Sequence, residues 1–207
     1  MLEWAILLVF SLGLGRECYD RMTSGARNLA LHEAASKADR HEVDRLLAAG
    51  ANPHAHVTER AETALHAACR SDESGDCCRR LLRAGADSSA RCIHGGNCLH
   101  QAGQFMQEAA LIALLGSEEG ASLRCVNMQD KNGWTPLHAT VYKPAQRHRR
   151  LAMVAALLRA GADAGLRNSD GNTPMDLARA FGHADAVEAL ELGGEAGAET
   201  SGPEREF

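Results

Sequence analysis

Apolar and polar positions along this chain repeat with a long period. An apolar residue followed by a polar one recurs as Leu31-His32, Leu65-His66, Leu99-His100 and Leu137-His138, with Met175-Asp176 as a degenerate fifth copy, at steps of 34, 34, 38 and 38 residues. A Leu pair follows each mark, at Leu46-Leu47, Leu81-Leu82, Leu114-Leu115 and Leu157-Leu158, and is broken to Leu190-Glu191 in the last copy. Val43, Leu46 and Leu47, like Val154, Leu157 and Leu158, fall on one face of a helix. A third mark, Gly50-Ala51-Asn52, Gly85-Ala86-Asp87, Gly120-Ala121-Ser122 and Gly161-Ala162-Asp163, sets a glycine where such a helix ends in a left-handed residue. In the last two copies Thr135-Pro136 and Thr173-Pro174 open the first helix, where Thr caps free N–H groups and Pro sacrifices no hydrogen bond. The pattern predicts two short helices per copy, each marginal alone, so the copies must bury their apolar faces against one another.

Three marks recurring in register resemble the ankyrin repeat, whose pattern includes Thr-Pro-Leu-His followed by Ala, a paired Leu, and a terminal Gly-Ala-Asp. The fullest copy is Asp130-Lys131-Asn132-Gly133-Trp134-Thr135-Pro136-Leu137-His138-Ala139, followed by Asp170-Gly171-Asn172-Thr173-Pro174-Met175-Asp176-Leu177-Ala178. The resemblance covers residues 28–192, divided into copies at 28–59, 60–93, 94–129, 130–167 and 168–192. It implies an all-α solenoid of stacked helix-turn-helix units with projecting hairpin-like loops, a concave face used for protein recognition, and hydrogen bonds from His32, His66, His100 and His138 that tie loops together. Copy one has Leu29-Ala30 and copy three Asn97-Cys98 in place of Thr-Pro. Copy four carries extra residues between Lys143 and Arg150, read as a projecting basic loop.

The two ends differ from the body. Residues 1–27 form an apolar N-terminal segment, with the run Trp4 to Leu14 ahead of Gly15-Arg16. Two readings stay open: a signal peptide over residues 1–15, or an extra helix capping the first copy. Glu3 stands where a signal peptide carries positive charge, and the run is short for a membrane span. The expected location is therefore cytoplasmic, with the secretory pathway as the alternative. Residues 193–207 are rich in Gly and Glu and read as a disordered acidic tail. From Glu191 onward the chain has a net charge of −4, which leaves the body at −1 of the total −5. A near-neutral body disfavours nucleic acid as a partner, because phosphate binding needs a basic surface.

Seven cysteines and ten histidines invite a metal reading, sharpest over Cys92-Ile93-His94-Gly95-Gly96-Asn97-Cys98-Leu99-His100. His100 is the repeat histidine, however, and Cys98 fills the slot that Pro holds elsewhere, so a structural role is expected. His54 and His56 read as a solvated loop, and Cys77-Cys78 has no positioned base that would make a nucleophile. Neither His32-Glu33 nor His41-Glu42 completes a metalloprotease helix, and the phosphate loop and nucleophile elbow are missing. The expectation is no enzyme, no metal and no cofactor. The cluster Arg147-His148-Arg149-Arg150 reads as a solvated loop, with a nuclear address or a contact to an acidic partner as the competing readings.

What remains is recognition of a protein by a monomeric binding module. Aromatic residues are only 4% of the chain, and aromatics and Arg concentrate binding energy, so the few in groove positions stand out. Trp134 is placed at a projecting loop position, dispensable for folding. Arg70, Phe105, Tyr142, Lys143 and Phe181 are further contact candidates, with Arg60, Arg91, Met128 and Lys131 at loop tips.

Overall fold

The computed structural model describes residues 15–116, 125–143 and 147–198, with side chains over 23–116, 125–143 and 147–192. Ten helices and no strand are present among the described residues. They form five consecutive pairs: α1 (Gly15–Ser36) with α2 (Arg40–Ala48), α3 (Ala64–Ser71) with α4 (Asp76–Arg83), α5 (Cys98–Gln104) with α6 (Glu108–Leu115), α7 (Pro136–Tyr142) with α8 (Arg147–Arg159), and α9 (Pro174–Ala180) with α10 (Ala184–Ala198). First helices pack on first helices of the neighbouring copies, and second helices on second helices, so contacts run between nearest neighbours along the stack.

The residues that set the period build the core. Leu31, Leu65, Leu99 and Leu137 are fully buried between successive first helices, and Val43, Leu81, Leu111, Leu114, Val154 and Leu157 do the same for the second row. Each such side chain contributes about 1.5–3 kcal/mol by leaving water, which helices of seven to nine residues could not secure in isolation. Gly85 ends α4 with φ +82°, where the Gly85 and Ala86 N–H groups donate to Leu82 and Leu81 carbonyls at 2.9 Å. Gly50 and Gly161 repeat that closure, and the equivalent Gly120 lies outside the described residues. Close approach requires glycine in α5, where a Cβ on Gly103 would stand 2.5 Å from Thr140 Oγ1 and 3.1 Å from the Pro136 carbonyl.

Three expectations are revised. Of the stretch read as a projecting basic loop, residues 147–150 instead form the first turn of α8, where Arg150 is buried, and residues 144–146 lie outside the described residues. Both Asp185 oxygens accept hydrogen bonds from Arg150 Nη1, at 2.5 and 2.7 Å, while Nη2 donates to the Lys143 carbonyl at 2.9 Å. Arg147 pairs with Glu188 at 2.7 Å. Positive charge is unfavourable at a helix N-terminus, and α10 answers it with carboxylates. Secondly, the boundary drawn at residue 27 does not divide the structure, because α1 runs from Gly15 to Ser36 and residues 15–27 extend the first helix of copy one. The run Trp4 to Leu14 lies outside the described residues. Thirdly, α10 continues to Ala198, into the stretch read as disordered tail, even though Gly193, Gly194 and Gly197 are poor helix formers. No described helix is long and apolar enough to cross a membrane.

Candidate functional site

The repeat histidines form the frame on which the surface is hung. Each first helix of copies two to five opens with a reciprocal cap: Thr63 with His66, Asn97 with His100, Thr135 with His138, and Thr173 with Asp176. In copy four the Thr135 N–H donates to His138 Nδ1 at 3.2 Å, and His138 Nε2 donates to the Asn172 carbonyl of copy five at 3.0 Å. His100 Nε2 reaches the Trp134 carbonyl at 2.8 Å in the same way. His66 Nε2 lies toward Gly96 at the equivalent place without a hydrogen bond of normal geometry. Copy one differs, because His32 Nε2 instead faces the buried Glu62 carboxylate at 3.8 Å. No group of three or more His, Cys, Asp or Glu among the described residues is arranged to hold a metal.

Burial holds all four histidines below the ordinary imidazole range. A neutral ring is what copy four needs, since Nδ1 must accept while Nε2 donates. Because the unfolded chain then takes up protons first, stability is complete above pH ~6.5 and is lost as pH falls below it. Urea unfolding followed by circular dichroism is expected to show a lower midpoint at pH 5.5 than at pH 7.5, with a loss of at most ~1.4 kcal/mol per pH unit per histidine. A midpoint that does not move would mean that folding leaves the proton affinity of the rings unchanged.

Loops between copies are tight hairpin-like turns that stack edge to edge. Within them the Cys92, Asp130 and Asn168 N–H groups donate to the Gly96, Trp134 and Asn172 carbonyls at 2.8–2.9 Å. Between them Ile93 N–H donates to Arg60 O at 2.7 Å, Lys131 N–H to His94 O at 2.9 Å, and Ser169 N–H to Asn132 O at 2.9 Å. Arg60, Arg91 and Lys131 are exposed on these loops, as anticipated. Arg91 is committed to the Gly95 and Gln129 carbonyls. Met128 is not a tip residue: it packs on the core and takes a weak bond from Asn97 Nδ2 at 3.6 Å.

Across copies four and five an aromatic row forms. Trp134 meets Tyr142 edge to face with centroids 5.0 Å apart, Tyr142 meets Phe181 in the same way at 4.9 Å, and Phe181 stacks on His183 at 6.1 Å. Tyr142 and Phe181 remain exposed, at 37% and 50% of their surface. The Lys143 ammonium lies 5.7 Å over the Tyr142 ring. Trp134 does not project; it is half-buried and packed on the core, so it belongs to the floor of this surface and contributes to folding. Arg70 and Phe105 make a second cluster, with the guanidinium 5.9 Å over the ring and 3.4 Å from Glu62. Sequence reasoning missed Glu62 and His183. Glu62 sits at the same register position as Trp134, and His183 matches Gln107: each of these last two bonds a carbonyl near the end of the preceding copy's first helix.

The family model described as ankyrin repeats (3 copies) matches residues 31–125 and again residues 122–199. The chain belongs to the ankyrin-repeat family. It is similar to the tyrosine-protein kinase HTK16 of Hydra vulgaris, 35% identical over 62% of this chain and 16% of that protein. It is likewise similar to the tyrosine-protein kinase Shark of Drosophila melanogaster, 31% identical over 83% of this chain and 17% of the kinase. The mouse B-cell lymphoma 3 protein homolog is 30% identical over 85% of this chain and 44% of its own length. The chain thus spans about a sixth of either kinase and under half of the third relative. Ankyrin repeats are a protein-interaction fold, and in this chain the repeats account for the helices, the caps and the loop ladder.

Proposed function

We propose that this protein is a non-catalytic module that binds a protein partner across the first helices and loops of copies four and five. The observation that carries this reading is the aromatic row from Trp134 through Tyr142 to Phe181, with two large rings left exposed where loops and helix ends meet. Edge-to-face packing holds these rings in place, so little side-chain freedom is lost on binding. Lys143 beside Tyr142 adds a cation to the rim. Of the residues that suggested chemistry, His100 is occupied in a cap, and Cys77, Cys78, Cys92 and Cys98 are buried.

The test uses Tyr142→Ala and Phe181→Ala, whose rings are the exposed members of the row. A partner captured by cross-linking to the full chain, then purified, is titrated by calorimetry against wild type and variants. Each substitution is expected to weaken binding about 30-fold, the mark of a hot spot near 2 kcal/mol, with melting lowered by less than about 4 °C. Unchanged affinity in both variants would sink the assignment of this face.

A further inference from the structure

We infer that the hollow between copies three and four is a subsite for an arginine side chain presented by the protein partner. This rests on the reading of the loop and first-helix face as the interaction surface. The hollow has a volume of about 300 Å³ and is bounded by His100 and Gln104 of α5, Asp130 and Asn132 of the loop, and Trp134 and Tyr142 at the two ends of α7. Ala139, which also lines it, carries only a methyl group and leaves the space between the rings open. That volume is at the bottom of the range for small-molecule sites and suits one long side chain.

Charge and hydrogen-bond capacity select the occupant. Asp130 Oδ1 is engaged by the Asn132 and Trp134 N–H groups at 2.8 and 2.9 Å, which fixes the carboxylate against the loop. Its Oδ2 accepts no hydrogen bond and pairs with no cation among the described residues. The side-chain amides of Gln104 and Asn132 likewise have no bonded partner among the described residues, and both are exposed. An anchored carboxylate, two amide oxygens and an aromatic wall call for a cation with several donors in one plane. A guanidinium satisfies all of them, stacking on the ring while donating to oxygen at its edge. An ammonium is a point charge without a stacking face.

The cations nearest the hollow do not fill it. Arg91 is held by the Gly95 and Gln129 carbonyls. The stem of Lys131 lies over Gly95. Lys143 sits over the Tyr142 ring and is not part of the lining.

The experiment is an NMR titration of the full chain with Nα-acetyl-arginine methylamide at constant ionic strength. The chain has two Trp residues, so the Trp134 indole resonance is assigned with Trp134→Phe and the other serves as an internal control. Saturable shifts of the Trp134 indole and the Asn132 amide are expected. The neutral isostere Nα-acetyl-citrulline methylamide should produce none, and the lysine derivative should bind at least ten-fold more weakly. Asp130→Asn keeps the Oδ1 acceptor of the loop, so it should retain the wild-type amide spectrum elsewhere while weakening the arginine probe at least ten-fold. Absence of saturation, equal response to citrulline, or undiminished binding by Asp130→Asn each overturns the subsite. Equal binding of the lysine probe overturns its guanidinium selectivity. The titration needs no partner, so its failure is separate from any failure of the Tyr142 and Phe181 variants in partner binding.

Discussion

Replacing Asp185 by alanine is expected to cost about 3–5 kcal/mol, the range for removing one partner of a buried ion pair. The Arg150 side chain is 3% exposed and Asp185 12%, and the guanidinium would be left with the Lys143 carbonyl as its hydrogen-bond partner. Its Nε already lacks one. Arg150 belongs to α8 and Asp185 to the first turn of α10, so the loss falls on the junction between the last two copies. Because a stacked repeat array is held by nearest-neighbour interfaces, urea unfolding should acquire an early phase, with hydrogen exchange accelerated first in α9 and α10. Two further variants give the result its meaning. Glu188→Ala removes the exposed pair with Arg147 and should change stability by less than about 1 kcal/mol. Replacing both members, Arg150→Met with Asp185→Leu, should restore much of the loss, since a buried pair often does no better than apolar packing. A single unfolding transition shifted by under 1 kcal/mol in Asp185→Ala would mean that the pair is open to water.

Gly103→Ala is the second large effect. One added methyl would meet Thr140 Oγ1 at 2.5 Å and the Pro136 carbonyl at 3.1 Å, both on α7. Thr140 is fully buried and its hydroxyl donates to that same carbonyl at 2.9 Å, so it has nowhere to swing. Helix α5 would have to move off α7, at a cost of about 3 kcal/mol, the upper end for overpacking. Helix propensity works the other way, favouring Ala over Gly by about 0.8–1 kcal/mol, and the steric term exceeds it. Gly25→Ala supplies the contrast. It lies exposed in α1 with nothing within 4 Å of the new methyl, and should stabilise by about 0.5–1 kcal/mol. Thermal melts of the two variants should therefore shift in opposite directions; equal shifts would mean that α5 and α7 are not in close contact.

The aromatic row and the buried arginine were legible to different degrees. Tyr142 and Phe181 stand at adjoining positions of the repeat, at the last residue of one first helix and just after another, so their register marked them before their contact was known. The same register marks Trp134 but does not carry its exposure; the side chain is half-buried and does not project. A residue just before a cap can point outward or lie along the helix, and its packing against Tyr142 and the core decided the matter. The burial of Arg150 leaves no trace in the sequence around it. Four basic residues in a row look like solvated chain, and only Asp185, brought up from the next copy, makes burial of one of them affordable. Asp130 appeared in the sequence only as part of a repeat motif. Its free oxygen acquires a meaning from Gln104 and Trp134, which come from a neighbouring helix and from the end of its own loop.

Taken by themselves, the residues determined the number of copies, the two helices in each, the glycine stops and the histidine frame. Those features arise from contacts within a few residues or from a period that every copy repeats, and local chemistry suffices for both. Only the tertiary structure decided where Trp134 lies, that Arg150 is paired, that α1 runs unbroken from Gly15, and which groups converge on the hollow. In a stacked array each surface is composed by two neighbouring copies. Whether a side chain there meets water, a ring or a charge depends on a residue some 34–38 positions away, and no pattern within one copy carries that information.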